Sequence, residues 1–263
     1  PAAVVLDHRE LRFLPGNLTE ERIQQAILIT SAARADDYLQ HTVPHVPERQ
    51  RLRVIAARIL RRDGSQVSAR LQDTPRLSEP ELNIFYDTRL RVMRFPRFED
   101  GDLIELCWVL SETAEANETG PYKGGVMRLA HPAPTLLAEV ELSGPPALLP
   151  AWELVHVESS PRRTEDDDGT VHLSWRFTDL APIPHDAPPA PPLVATPHLV
   201  YSNHPDWAEL GGWYARHVAP RVRASRQVES TAERLVAAID DRRLRVEAIA
   251  RFVTSEITYV GLE

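Results

Sequence analysis

Along most of the first 180 residues, apolar and polar positions alternate with a period of two. That is the pattern of half-buried antiparallel strands. From Asp102 to Ser111, Ile104, Leu106, Trp108 and Leu110 share one face. From Trp152 to Glu158, Trp152, Leu154 and His156 oppose Glu153, Val155 and Val157. From Val171 to Phe177, Val171, Leu173, Trp175 and Phe177 oppose His172, Ser174 and Arg176. Ser159–Thr170 joins the last two runs, and its acidic stretch Glu165–Asp168 before Gly169 predicts a polar hairpin connection. Arg51–Arg62 is a further strand whose apolar residues (Val54, Ile55, Ala56, Ala57, Ile59, Leu60) fall on both faces, so it is either buried on both sides or bulged. A tight turn at Arg62–Ser65 leads to a returning segment, Gln66–Gln72. Leu82–Phe95 reads as one long strand, and Glu99–Asp102 turns it into Leu103–Leu110.

The period changes late in the chain. Residues 181–197 hold seven prolines in 17 positions, which excludes a helix or a central strand and predicts an extended connector. Leu193–Tyr201 is a candidate strand after it. Asp206 is a candidate cap for a helix to about Val218, with Pro220 expected to stop it. Val228, Leu235, Val236 and Ile239 mark a second helix. A third runs from about Arg242 to Glu256, with Val246, Ile249, Ala250 and Val253 on one stripe. The expected fold is mainly β: an antiparallel β-sandwich over residues 1–200, followed by two to three C-terminal α-helices in residues 201–263.

Charge and composition narrow the partners. The net charge of −8 argues against nucleic acid as the main partner. There is no apolar run of 18 residues, so no helical membrane span is expected. One cysteine, Cys107, excludes an intrachain disulfide framework. All basic residues except Lys123 are arginine. The chain begins at Pro1 and ends at Glu263 inside a strand-like stretch from Ile257, which suggests a fragment of a longer protein.

Candidate chemistry is sparse. Cys107 lies mid-strand between Leu106 and Trp108 and reads as a small buried hydrophobe, away from the helix N-terminus or histidine that a reactive thiolate needs. His41 and His45 have metal-like spacing, but Pro44 and Pro47 make the segment extended and remove the helical geometry that spacing requires. Glu165–Asp168 lacks the ligand pattern of a calcium loop and reads as a solvated turn. Trp152, Trp175, Trp207 and Trp213 are candidates for a sugar-stacking platform, although Trp175 belongs to a core face and Trp207 and Trp213 to the apolar side of a helix. Gly124-Gly125 and Gly211-Gly212 have no phosphate-loop context. No cofactor, metal or catalytic set is read from the residues, and an independent hydrolase would require a His, Asp or Glu cluster in a pocket.

Two blocks carry a family resemblance. The first runs from His41 to Gln50 and from Val54 to Gly64, then through Tyr86-Asp87, Arg91, Phe95-Pro96, Gly101-Asp102 and Glu105. It resembles the bacterial domain of unknown function that sits upstream of transglutaminase-like domains. The second, Arg245–Glu263, resembles the opening helix and first strand of a bacterial transglutaminase-like domain; Tyr201–Val218 is similar to the junction between the two. The resemblance implies a non-catalytic N-terminal module of a larger, exported or periplasmic protein. It would position or shield a papain-like Cys-His-Asp domain further along the same polypeptide, or dock a protein or peptide substrate. Cys107 does not match the catalytic cysteine, so no activity is expected of this chain. Trp207, Trp213, Phe252 and Val253 are the expected inter-domain docking residues. The alternative is a glycan- or peptide-binding sandwich with its own ligand site.

Overall fold

The computed structural model describes all residues except 76–83, 114–121, 184–195, 205, 259–260 and 263. Its contacts divide the chain into two units: Pro1–Pro75 with Thr88–Pro205, and Arg76–Asp87 with Asp206–Glu263.

The described residues of the first unit form three sheets. The strands of the largest are β1 (Ala2–Leu14), β2 (Leu18–Ile29), β4 (Gln50–Leu60), β5 (Gln66–Ser68), β9 (Leu103–Glu112), β11 (Thr135–Gly144), β13 (Arg162–Glu165) and β14 (Val171–Leu180). They lie in the order β13-β14-β11-β1-β2-β9-β4-β5. Neighbours are antiparallel except β1 and β11, which run parallel. One small sheet orders β3 (Gln40–His45), β8 (Arg89–Arg94) and β6 (Arg70–Pro75) with β8 central. The other orders β10 (Gly124–Arg128), β15 (His198–Ser202) and β12 (Ala151–Val155) with β15 central.

Register shows that both small sheets cover the same face of the large one. Residues directly opposite in a pair point to the same side. Ile27 pairs with Val4 and Ile104, and Ile104 with Ile59. These side chains form one core with Val43 and Met93 of the first small sheet. Leu11 pairs with Leu142, and Val140 with Trp175. They form a second core with Met127 and Leu199 of the other small sheet. Each such buried side chain contributes about 1.5–3 kcal/mol. The opposite face of the large sheet is charged: His8 lies 2.9 Å from Glu10 and 3.2 Å from Glu139, and Arg58 lies 2.6 Å from Glu105.

Local chemistry explains the connections and the departures from simple alternation. Gly16 (φ 78°) and Asn17 (φ 56°) supply the left-handed residues of the β1–β2 turn. The two-faced pattern of Arg51–Arg62 resolves as a bulge between Val54 and Ala56, which leaves Ile55 exposed. The expected returning segment is two strands, β5 and β6, in different sheets. Leu82–Phe95 is likewise not one strand. Its described part holds β8 and a separate two-residue strand, β7 (Ile84–Phe85), which belongs to the second unit. Ser159–Thr170 does not connect β12 to β14 as a hairpin. The β12 strand ends where His156 turns to φ 60°, and the acidic stretch is the turn between β13 and β14, closed by Asp166 N–H to Thr170 O at 2.9 Å. Most of the proline-rich connector and the first residues of Leu193–Tyr201 lie outside the described residues.

The second unit carries α1 (Trp207–Val222), α2 (Arg226–Val236) and α3 (Arg242–Glu256). Each starts on a capping side chain that accepts a backbone N–H: Asp206 from Glu209, Ser225 from Val228 and Asp241 from Leu244. Pro220 does not stop α1. It falls in the last turn, where only one helical hydrogen bond is forgone. A short strand, β16 (Gly261–Leu262), pairs in parallel with β7.

Candidate functional site

The four residues read as docking positions all lie on α1 and α3. Trp207 is 85% exposed and Val253 47% exposed. Trp213 and Phe252 are half-buried, and Trp213 meets His217 edge-on with ring centres 5.1 Å apart. No residue of the three helices is buried. Tyr214, Val246 and Ile257 are also exposed. These are apolar side chains on or beside helices whose apolar residues are at most half-buried, and such surface marks interaction sites.

The remaining sequence candidates lie on strands and turns of the first unit. Cys107 is a buried free thiol on β9. His41 packs on Trp108 with ring centres 5.0 Å apart, and burial lowers its pKa. His45 is buried and its Nδ1 has no hydrogen-bond partner. Among the described residues, no group of three or more His, Cys, Asp or Glu could hold a metal ion. Asp168 caps its own turn by accepting the Thr170 N–H, which holds its carboxyl below the usual range. Of the tryptophans, Trp175 is core and Trp152 is partly exposed against it, the two rings edge to face at 4.9 Å.

Sequence reading missed a polar cluster on the covered face of the large sheet. Asp7 is 2% exposed and accepts from Arg9 (3.0 Å), Gln25 (3.1 Å) and His131 Nε2 (2.6 Å). Burial alone would raise its pKa. The His131 hydrogen bond and the charges of Arg9 and His131 outweigh that and hold it at about 2. Nearby on β2, burial pushes the Glu21 carboxyl up. Across the second core, burial raises Tyr201 to about 12, with further contributions from Glu21, Tyr122 and Glu112. Glu112 in turn accepts from Lys123 Nζ (2.6 Å) and from the backbone N–H and hydroxyl of Thr19 (2.7 and 2.8 Å). Chemically, Asp7 orients His131. The cluster ties β1 and β2 to the segment after β10, and no hydroxyl or thiol of a described residue hydrogen-bonds to that imidazole.

A scan against known families matches residues 16–184 to a domain of unknown function with a solved structure, DUF3857. The chain belongs to the DUF3857 family. Among curated proteins, nothing matches. The DUF3857 chain is similar to the crystal structure of a candidate protease from Parabacteroides distasonis, at a TM-score of 0.77 and 17% identity. That alignment covers 97% of this chain and 50% of the other, so the chain spans about half the length of that relative. At this identity the likeness establishes the fold. Legionella pneumophila aminopeptidase A aligns over 77% of this chain and 21% of its own at 11% identity, and its TM-score of 0.37 carries no argument.

The DUF3857 unit has shallow cavities. One of about 320 Å³ lies beside the β1–β2 turn, lined by Phe13, Leu18, Leu148 and Lys123. Another, of about 510 Å³, runs beside β12 and is lined by Trp152, Leu154, Val157, Glu153 and Glu158. His131 lines neither.

Proposed function

We propose that this chain is a non-catalytic module that docks onto a further domain of a longer polypeptide and positions or shields the chemistry performed there. The observation that carries this is the unburied apolar surface of the helices, above all Trp207 and Val253. A monomer gains nothing from displaying such side chains, whereas a covering domain would recover their burial energy. The candidate protease of the same fold is about twice this chain's length, which leaves room for such a domain. The resemblance of Arg245–Glu263 to the opening of a transglutaminase-like domain makes its expected chemistry acyl transfer or hydrolysis at amide bonds, with the thiolate nucleophile outside this chain.

The test is an assay of amide hydrolysis and glutamine-to-amine transfer, run on this chain and on a polypeptide that continues past Glu263. The reading expects activity from the longer polypeptide alone. Turnover by this chain, abolished by His131→Ala, would instead make it an enzyme in its own right.

A further inference from the structure

The strand β12 pairs on one side with β15, and among the described residues no backbone hydrogen bond occupies its other edge. Sheet edges of this kind accept extended chains unless they are guarded by lysine, proline, a bulge or a cover. Within Ala151–Val155 there is no lysine, proline or bulge. Instead, the 510 Å³ cleft runs alongside. His156, at φ 60°, ends the pairing, and the following segment supplies Val157 and Glu158 to the cleft.

Register defines what each face of β12 offers. Trp152 pairs with Tyr201 and Leu154 with Leu199, so both point toward the second core. Trp152 is held there against Trp175, yet it remains 37% exposed. Glu153 pairs with Val200 and points to the opposite face. Glu153 and Glu158 are exposed, and among the described residues neither carboxylate has an ion pair or a side-chain hydrogen bond.

We propose that β12 is a strand-addition site for an extended polypeptide segment with alternating apolar and basic side chains. The added strand would take the free backbone groups of β12. Its apolar residues would lie opposite Trp152 and Leu154, and a basic residue between them would lie opposite Glu153, with Glu158 close to the same path. Cross-strand neighbours share a face, so the alternation follows from the order Trp-Glu-Leu in β12 itself. The site lies wholly within the first unit and stands whether or not the helices dock a further domain.

The test uses the whole chain and a blocked heptapeptide with valine at alternate positions and arginine between them. Fluorescence anisotropy and hydrogen exchange are the readouts. The expected result is saturable binding with slowed exchange at the β12 amides. Binding should weaken about tenfold when glutamate replaces arginine in the peptide, or when its alternate amides are N-methylated. The double variant Glu153→Arg, Glu158→Arg should reverse the peptide charge preference without unfolding the chain, since both side chains are exposed. Unchanged β12 exchange, or equal binding of the N-methylated peptide, would overturn strand addition. So would saturable binding of neutral oligosaccharides at Trp152 in place of the peptide, which would make the cleft a glycan site.

Discussion

The most consequential residue in the first unit is Asp7, whose carboxylate sits almost fully buried among Arg9, Gln25 and His131. Its pKa falls from 3.8 to about 2 on folding, which contributes about 2 kcal/mol of stability at neutral pH. Because the folded value is depressed, that contribution is complete above 3.8 and disappears as the pH falls toward 2. Asp7→Asn should therefore cost about 2 kcal/mol at pH 7 by leaving the half-buried Arg9 and His131 without their anion. The gap to the parent chain should close on acidification, measured as urea unfolding between pH 7 and pH 2. A gap independent of pH would show that Asp7 acts only as a hydrogen-bond acceptor. His172 behaves in the opposite sense. Its hydrogen bond to Glu141, at 2.7 Å, raises its pKa despite some desolvation, and Asp166 adds to the rise. Its stabilising contribution is present below 6.5 and fades as the pH rises through the raised value. Glu141→Gln should lower that titration midpoint, read from the imidazole resonances. Sequence patterning does not reveal the Asp7 cluster, because a charged residue on an alternating strand looks solvent-facing. The bulge between Val4 and Leu6 shifts the strand's phase and turns Asp7 and Arg9 toward the covered side.

At the scale of elements, what was legible in the sequence was what is locally determined. The cap Asp206 and the 3.6-residue spacing of apolar residues mark the helices, and α3 spans Arg242–Glu256 as expected. Alternation likewise marks β9 and β14. What escaped is partner choice, which local pattern does not encode: the acidic turn serves β13 and β14 although β12 comes before it, and β7 pairs with β16 at the far end of the chain. Close approach of elements also explains two glycines. A methyl at Gly144 would lie 2.7 Å from the Phe13 carbonyl oxygen, a backbone atom of the neighbouring strand β1. A methyl at Gly125 would lie 2.7 Å from the Tyr201 hydroxyl, across the β10–β15 pair. The tyrosine can swing aside, and the β1 backbone can yield only by separating strands. Gly144→Ala should cost about 2 kcal/mol and Gly125→Ala less than about 1 kcal/mol, compared by denaturant midpoint at constant m-value.

For the whole molecule, the question is what the helices of the second unit are for. Their apolar stripes predict burial, and the structure leaves Trp207, Tyr214, Val246 and Val253 exposed while Trp213 and Phe252 are half-buried. Residue pattern marks apolar stripes on the helices but carries no information about what covers them. If Trp207 and Val253 serve only solubility-neutral surface positions, replacing both with serine should be silent everywhere. If they are a docking face, the substitution is silent in this chain and costly where a covering domain is present. Trp207→Ser with Val253→Ser should change the stability of this chain by less than about 0.5 kcal/mol, since neither side chain is buried. In a polypeptide that continues past Glu263, the same pair should cost about 2 kcal/mol or more, the value of reburying a tryptophan and a valine. It should also expose the region around Ile257 to limited proteolysis. Comparing urea unfolding of the two lengths separates these outcomes. Equal effects in both would remove the docking role and leave the β12 edge as the interaction surface of the molecule.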